Sequence, residues 1–152
     1  MGATGVGKTT VARALAERLG VPFLDADDLH PASNVERMRR GEPLTDEHRW
    51  PWLDAVGGWL AEHPDGVAAC SALRRAYRDR LRAAAPDVRF LHLVGGADVL
   101  DARLQRRTEH FMPASLVTSQ LDTLEPLGPD EPGLEIACTL PVAAIVEEWL
   151  AG

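Results

Sequence analysis

Residues 2–9 read GATGVGKT, and this stretch decides the fold of the chain. It matches the pattern G-x-x-x-x-G-K-[ST] without a mismatch, and an amphipathic helical pattern follows directly. The glycines of such a loop let backbone N–H groups turn inward around phosphate oxygens, and the positive end of the next helix points at the same phosphates. The loop therefore predicts a nucleotide-phosphate site. Its predicted members are Gly2, Ala3, Thr4, Gly5, Val6, Gly7, Lys8, Thr9 and Thr10.

Lys8 and Thr9 carry the chemistry that this type of loop supplies. A lysine at this position reaches the β- and γ-phosphates, and the hydroxyl that follows it coordinates Mg²⁺. The chain's single asparagine, Asn34, is followed by Val35, so the guanine-reading motif N-K-x-D of the GTPases is absent. This absence argues against a GTPase, and the arginine-rich stretch that precedes the predicted lid favours a small-molecule kinase.

Two acidic residues, Asp25 and Asp27, follow the apolar run VPFL at residues 21–24. Residues two apart in an extended stretch point to the same side. Phosphoryl transfer to an alcohol needs one carboxylate near the attacking hydroxyl and another near the metal. The alternative interpretation is a solvated acidic helix start, which the helix dipole favours in any case.

Short apolar runs alternate with helical patterns along the rest of the chain. The runs predicted as strands are VPFLD (21–25), GVAACSAL (66–73), VRFLHLVGG (88–96) and LEIACTL (134–140). Ser33 and Glu36 match a capping box at the start of one of the helices. The alternation predicts a parallel sheet covered by helices on both faces, with ligands at the carboxyl ends of the strands. That edge would bring together the loop, Asp25 and Ser71.

Composition narrows the class of protein further. The 152 residues fit one domain, and 23 acidic against 16 basic residues give a net charge of −7. This balance argues against a nucleic-acid protein held by a general basic surface. No apolar stretch approaches the roughly 20 residues of a membrane span, and no secretory signal pattern opens the chain. The sequence therefore predicts a cytoplasmic protein without nucleic-acid or membrane partners.

Four blocks of sequence resemble the gluconokinases, small P-loop kinases related to shikimate kinase and adenylate kinase. They are LDADDLHP (24–31), SNVERMRRGEPLTDEHRWPWL (33–53), CSALRRAYRDRLR (70–82) and HFMPASLVTSQLDTLEP (110–126). The resemblance implies an α/β P-loop NTPase fold like that of adenylate kinase, with a parallel sheet of order 2-3-1-4-5. It also implies transfer of the γ-phosphoryl group of ATP to the 6-hydroxyl of D-gluconate, with Mg²⁺ as the metal.

The resemblance assigns roles to the acidic block. Asp27 would hold or deprotonate the attacking hydroxyl, beside Lys8 as the second catalytic residue. Asp25 would order Mg²⁺ together with Thr9. His30 would hydrogen-bond a sugar hydroxyl, unless it is simply a residue packed at a helix start.

Several arginines are candidates for binding anions. Gluconate is an anion, and arginine pairs with carboxylates through two hydrogen bonds, so Arg74 and Arg78 are the predicted carboxylate ligands. A surface position is the alternative for Arg78. Arg103 is predicted to contact the nucleotide and Arg107 to stabilise the moving phosphoryl group, although the sequence does not divide these roles securely among residues 103, 106 and 107. Pro141 would line the adenine pocket, unless it is only a helix-start proline.

The organisation predicted is a single kinase domain over residues 1–152. A helical substrate-binding segment covers about 28–62 and a lid about 106–130. Strand 1 of the order 2-3-1-4-5 would be the central strand, yet no strand pattern precedes the loop, so we expect it upstream of Met1. A homodimer is also a candidate assembly, because the resemblance implies relatives that commonly dimerise. Two other functions stay open: a kinase for another small hydroxy acid such as shikimate, and an inactive nucleotide-binding sensor.

Overall fold

The computed structural model describes residues 1–106 and 114–152. The strands in these ranges are β1 (Phe23–Asp25), β2 (Val67–Ala69), β3 (Phe90–Val94) and β4 (Gly133–Ala137). The helices there are α1 (Lys8–Leu19), α2 (Ala32–Arg39), α3 (Asp46–Glu62), α4 (Arg75–Ala84), α5 (Ala97–Gln105), α6 (Ala114–Thr123) and α7 (Val142–Ala151). A 3₁₀ helix covers Ala26–Leu29. The predicted alternation of strands and helices is confirmed, and α6 lies inside the segment 106–130 that was predicted as a lid.

The starts of α2 and α3 correct one local prediction. The capping box expected at Ser33 and Glu36 is wrong, because α2 begins at Ala32 behind Pro31 and thus places Ser33 inside its first turn. A capping box is instead present at Thr45 and His48, at the start of α3. There the backbone N–H of Thr45 donates to Nδ1 of His48 over 3.0 Å.

The strands form two parallel pairs. In the first pair Phe23 of β1 lies opposite Val67 of β2. In the second pair, Phe90 of β3 lies opposite Gly133 of β4. In the expected order 2-3-1-4-5, strands 2 and 3 correspond to β1 and β2, and strands 4 and 5 correspond to β3 and β4. Both of these pairs are present, but within the described residues no strand corresponds to strand 1 and joins β2 to β3. The full order 2-3-1-4-5 is therefore not confirmed.

Met1 and Gly2 lie between the two strand pairs, near the carboxyl ends of β2 and β3. The backbone N–H of Leu93 donates to the carbonyl of Met1, and that of Gly2 donates to the carbonyl of Ser71. Beside them a largely apolar cavity of about 530 Å³ is lined by β2 and β3 and by α1, α3 and α4. The first residues of the chain thus connect the ends of β2 and β3 and place the P-loop between them.

Buried apolar side chains lie on both sides of this arrangement. One cluster joins α3 and α4 around Trp52, Leu53 and Tyr77. A second joins the P-loop to α5, α7 and β3 around Val6, Leu100 and Ile145. In the described ranges no helix is both long enough and apolar enough to cross a bilayer. The two clusters fix the P-loop against one strand pair and the helices α3 and α4 against the other.

Candidate active site

The P-loop has the strained backbone that its glycines permit. Gly7, the residue before α1, has φ of 93°, and Gly2 has φ of 139°. A side chain at Gly2 would place its Cβ 2.8 Å from the carbonyl oxygen of Leu93. Residues with a side chain rarely adopt these φ values, so glycine is required at both positions. Lys8, the first residue of α1, donates from Nζ to the carbonyl of Ala3 over 3.0 Å, across the loop.

Thr9 and Asp25 meet at the edge where β1 ends. The Thr9 hydroxyl donates to Oδ2 of Asp25 over 3.1 Å, and Oδ1 of Asp25 accepts from the backbone N–H of Asp27 over 3.1 Å. Both carboxylate oxygens of Asp25 are thereby oriented. In the described part of the chain no group of three or more His, Cys, Asp or Glu residues could hold a metal alone. This edge offers two oxygen donors, which suit a cation that also binds nucleotide phosphates.

Asp27 and Lys8 line one cleft. Burial raises the pKa of Asp27 above 3.8, the charges of Asp25 and Asp28 add to the rise, and Lys8 opposes it. The Asp27 side chain is still 54% exposed, so water screens part of these effects. A carboxylate with a raised pKa that faces a cleft is suited to accept a proton.

His30 forms the inner wall of the cleft, with its side chain only 4% exposed. The imidazole stacks on Trp52, with ring centroids 4.1 Å apart, and its Nε2 lies 3.8 Å from Oδ1 of Asp27. Burial and the nearby charge of Arg49 lower the pKa of His30 to about 4. His30 is therefore a neutral, rigidly held side chain at neutral pH.

Arg49 is a cleft residue that the sequence analysis missed. It lines the cleft from α3, and its Nη1 donates to the Tyr77 hydroxyl over 2.7 Å. The Tyr77 hydroxyl in turn donates to the Asp46 carboxylate. Arg49 lies in the quoted block at residues 33–53, but nothing in that block separates it from its exposed neighbours. Arg74, predicted as a carboxylate ligand, is half-exposed and pairs with Asp46 over 3.7 Å outside the cleft lining.

Arg78 is buried away from the cleft surface, and this arrangement does not support its predicted role. Its guanidinium has no exposed area and forms a buried ion pair with Glu131 through Nε and Nη2, at 2.6 and 3.0 Å. Its other hydrogen bonds go to backbone carbonyls of Ala72, Leu73 and Pro126. All five N–H groups of the guanidinium thus have acceptors inside the chain. Arg78 ties the loop after β2 to the segment after α6, and none of its donors is left for a substrate carboxylate.

Arg103 contacts the back of the P-loop. Its Nη1 donates to the carbonyls of Gly5 and Val6, at 3.3 and 3.0 Å, and its Nη2 donates to the carbonyl of Cys138. It therefore joins the loop to the end of β4, three residues before Pro141. Pro141 is exposed at the start of α7. Arg107 lies outside the described residues.

Gln120 of α6 also reaches the P-loop. Its Oε1 accepts from the backbone N–H of Thr4 over 2.7 Å, and both residues line the cleft. The sequence analysis quoted this block, residues 110–126, but assigned no role to Gln120. The contact links the predicted lid segment to the loop.

Comparisons with known proteins agree with this arrangement. The family described as an AAA domain matches residues 1–127. A gluconokinase of Gluconobacter oxydans (strain 621H) is 47% identical over 154 residues, which cover 99% of this chain and 86% of that protein. A gluconokinase from Sinorhizobium meliloti 1021 superposes with a TM-score of 0.91 at 47% identity, covering 99% of this chain and 87% of the other.

A sugar kinase from Janibacter sp. HTCC2649, solved without ligand, superposes with a TM-score of 0.94 at 46% identity. The match covers 99% of this chain and 91% of that one. These similarities extend over the P-loop, the acidic block and the helices that close the cleft. The fold is that of a P-loop kinase, and the chain belongs to the gluconokinase family.

Proposed function

We propose that this protein is a gluconokinase, which transfers the γ-phosphoryl group of ATP to the 6-hydroxyl of D-gluconate and forms 6-phospho-D-gluconate and ADP. The observation that carries the proposal is the composition of one cleft, which is lined by Lys8, Asp27 and Arg49. These supply a phosphate-binding cation, a proton acceptor and a cation for the substrate. Family members named gluconokinase support the choice of gluconate.

The reaction makes one P–O bond and breaks another, and it transfers one proton. The 6-hydroxyl oxygen attacks the γ-phosphorus, the bond between that phosphorus and the bridging oxygen breaks, and ADP leaves with the bond's electrons. Asp27 takes the proton of the hydroxyl, for which its raised pKa suits it. Lys8 binds the phosphate oxygens on which negative charge lies in the transition state.

Magnesium fits the edge formed by Thr9 and Asp25. Their side-chain oxygens are 3.1 Å apart and are the hard ligands that this ion prefers. Thr9 would coordinate the ion, and Asp25 would orient it and its waters. When bound, Mg²⁺ neutralises charge on the β- and γ-phosphates.

The substrate carboxylate is best placed at Arg49. Among the described residues that line the cleft, the cationic side chains are those of Lys8 and Arg49, and Lys8 belongs to the phosphates. Arg49 is held by the Tyr77 hydroxyl, and within residues 1–106 and 114–152 its guanidinium makes no other hydrogen bond or ion pair, so its other N–H groups can bind a carboxylate. Arg74 is the weaker candidate because it pairs with Asp46.

The remaining assignments stay predictions. Arg103 would contact the nucleotide, Pro141 would line the adenine pocket, and Arg107 would stabilise the moving phosphoryl group. Residues 28–62 would form the substrate-binding segment and 106–130 the lid. A cytoplasmic location and a homodimer are likewise part of the proposal.

ADP release by the purified protein, with ATP, Mg²⁺ and either D-gluconate, shikimate or no acceptor, tests the function. We expect ADP release only in the arm whose acceptor is gluconate. The product in that arm should have the mass of a phosphogluconate. Release with shikimate would favour the other kinase. ATP binding without release in any arm would favour the inactive sensor. Lys8→Ala, which keeps the fold but loses the phosphate-binding cation, is the negative control.

A further inference from the structure

His30 is held in one orientation by its neighbours. Its ring lies nearly parallel to that of Trp52, with an interplanar angle of 16°. Trp52 is itself fixed, because its Nε1–H donates to the carbonyl of Ala26 over 2.7 Å. The imidazole therefore presents one fixed edge to the cleft and the opposite edge to α2.

Asn34, a buried residue of α2, contacts the edge of His30 that faces away from the cleft. Its Nδ2 lies 2.9 Å from the carbonyl oxygen of His48 and 3.2 Å from Nδ1 of His30. The carbonyl of His48 can only accept, so the amide atom beside it must be the nitrogen. A flipped amide would place two oxygens 2.9 Å apart. The orientation of Asn34 is thus fixed by the backbone of α3.

The two hydrogens of the Asn34 amide then have two acceptors. One is donated to the carbonyl of His48, and the other is donated to Nδ1 of His30. Nδ1 therefore accepts, and a neutral imidazole that accepts at Nδ1 carries its proton on Nε2. The low pKa of His30, about 4, agrees with a neutral ring.

The Nε2–H of His30 is directed toward Asp27. The distance from Nε2 to Oδ1 is 3.8 Å, which exceeds a direct hydrogen bond. A hydroxyl between the two groups would accept from Nε2–H and donate to the carboxylate. Only this tautomer allows both bonds, since the other tautomer would present two acceptors to one hydroxyl hydrogen.

We propose that Asn34 is a positioning residue that holds His30 in the Nε2–H tautomer, so that His30 donates a hydrogen bond to a hydroxyl of the polyhydroxy-acid acceptor beside Asp27. This rests on the proposed function. It makes His30 a donor, and it leaves Asp27 as the proton acceptor at this point of the cleft. Asn34 acts through His30 and makes no contact with the acceptor.

Nitrogen-15 NMR of the histidine rings tests the tautomer in the free wild-type protein at neutral pH. We expect the His30 signals of a protonated Nε2 and an unprotonated Nδ1, identified by their loss in His30→Phe. A proton on Nδ1, or on both nitrogens, would overturn the proposal. This measurement needs no substrate and no turnover, so it is decided even if gluconate is not phosphorylated and the proposed function fails.

Asn34→Asp tests the consequence for the acceptor. A carboxyl O–H then replaces the amide NH₂: its one hydrogen is donated to the carbonyl of His48, so its oxygen accepts from His30 and recruits a proton to Nδ1. We expect the spectrum to lose the Nε2–H tautomer and the KM for gluconate to rise by about tenfold, with the KM for ATP nearly unchanged. Loss of the proton from Nε2 of His30 with an unchanged KM for gluconate would refute the donor role.

His48→Ala is the matched control. It breaks the capping box of α3, where Nδ1 of His48 accepts from Thr45, but leaves the backbone carbonyl that Asn34 uses. We expect this variant to lose stability while keeping the Nε2–H tautomer of His30 and the wild-type KM for gluconate. A purely structural role of Asn34 predicts instead that both variants change the KM alike.

Discussion

Arg78 and Glu131 form an ion pair in which neither side chain has any exposed area. The guanidinium beside it holds the pKa of Glu131 below its usual range. Glu131 also accepts from the backbone N–H of Gly128, so the pair fixes the turn that leads into β4. One neighbouring pair, Arg75 with Asp130, joins the same helix and the same turn at the surface.

Glu131→Ala is therefore expected to destabilise the protein strongly. Removing one partner leaves a buried charge uncompensated, which costs about 3–5 kcal/mol of unfolding free energy. Urea unfolding of this variant measures the loss. Asp130→Ala is the matched control: its partner Arg75 is solvated, and we expect a loss near the error of the measurement. Equal losses in the two variants would mean that burial does not distinguish the pairs.

Lys8→Met is expected to abolish most turnover without unfolding the protein. The ammonium group lies within the P-loop, 3.0 Å from the carbonyl of Ala3, and no other cation of the described loop residues can replace it. Loss of one preorganised charge in such a site lowers kcat by about 10²–10³-fold. Steady-state kinetics and thermal unfolding check this together. A kcat within a few-fold of wild type would show that Lys8 does not contact the transferred group.

Arg49→Met is expected to raise the KM for gluconate. Losing a hydrogen bond to a charged group costs about 1.5–3 kcal/mol, equivalent to roughly 10- to 150-fold in affinity. The KM for ATP should hardly change. Arg74→Met is the comparison, because Arg74 lies outside the cleft lining and should leave both constants close to wild type. The reverse result would restore Arg74 as the carboxylate ligand.

The pH dependence of stability tests the environment of His30. Its pKa is about 4 in the folded protein against 6.5 for the free side chain. Above pH 6.5 the imidazole of His30 is unprotonated in both the folded and the unfolded protein. As the pH falls from 6.5 to 4, this imidazole is protonated only in the unfolded protein, so the unfolding free energy decreases by up to about 3 kcal/mol. Burial lowers the pKa of His92 as well, so the difference between wild type and His30→Phe is the quantity to measure. A constant difference between pH 6.5 and 4 would contradict the low pKa.

The sequence predicted those features that follow from local patterns. The P-loop, the alternation of strands and helices, and the pairing of Thr9 with Asp25 at one edge all depend on short motifs and on the rule for parallel sheets. Arg78 was misjudged because its acceptors lie at Ala72, Leu73, Pro126 and Glu131, which only folding brings together. The residue type indicated a carboxylate partner for Arg78, but not that this partner is Glu131 of the same chain.

Arg49 and Asn34 were missed for a related reason. Each lies in a helix rich in polar residues, where the sequence does not say which side chain turns inward. Asn34 is buried because α2 packs its amide against the backbone of α3, fourteen residues along the chain.

Asp27→Asn is expected to lower kcat by about 10²–10⁴-fold, because the amide cannot take the proton of the attacking hydroxyl. In the wild type, kcat/KM should fall as the pH drops through the pKa of Asp27, which burial raises above 3.8. A carboxylate must be ionised to accept, so activity is present above this pKa and is lost below it. Asp28→Asn is the matched control, since Asp28 is its exposed neighbour outside the cleft lining. It should keep the rate and the acidic limb of the profile, with the limb moved slightly to lower pH because the charge of Asp28 adds to the raised pKa of Asp27. A near-normal kcat for Asp27→Asn would show that the proton goes elsewhere, to a phosphate oxygen or to water, and that Asp27 only orients the hydroxyl.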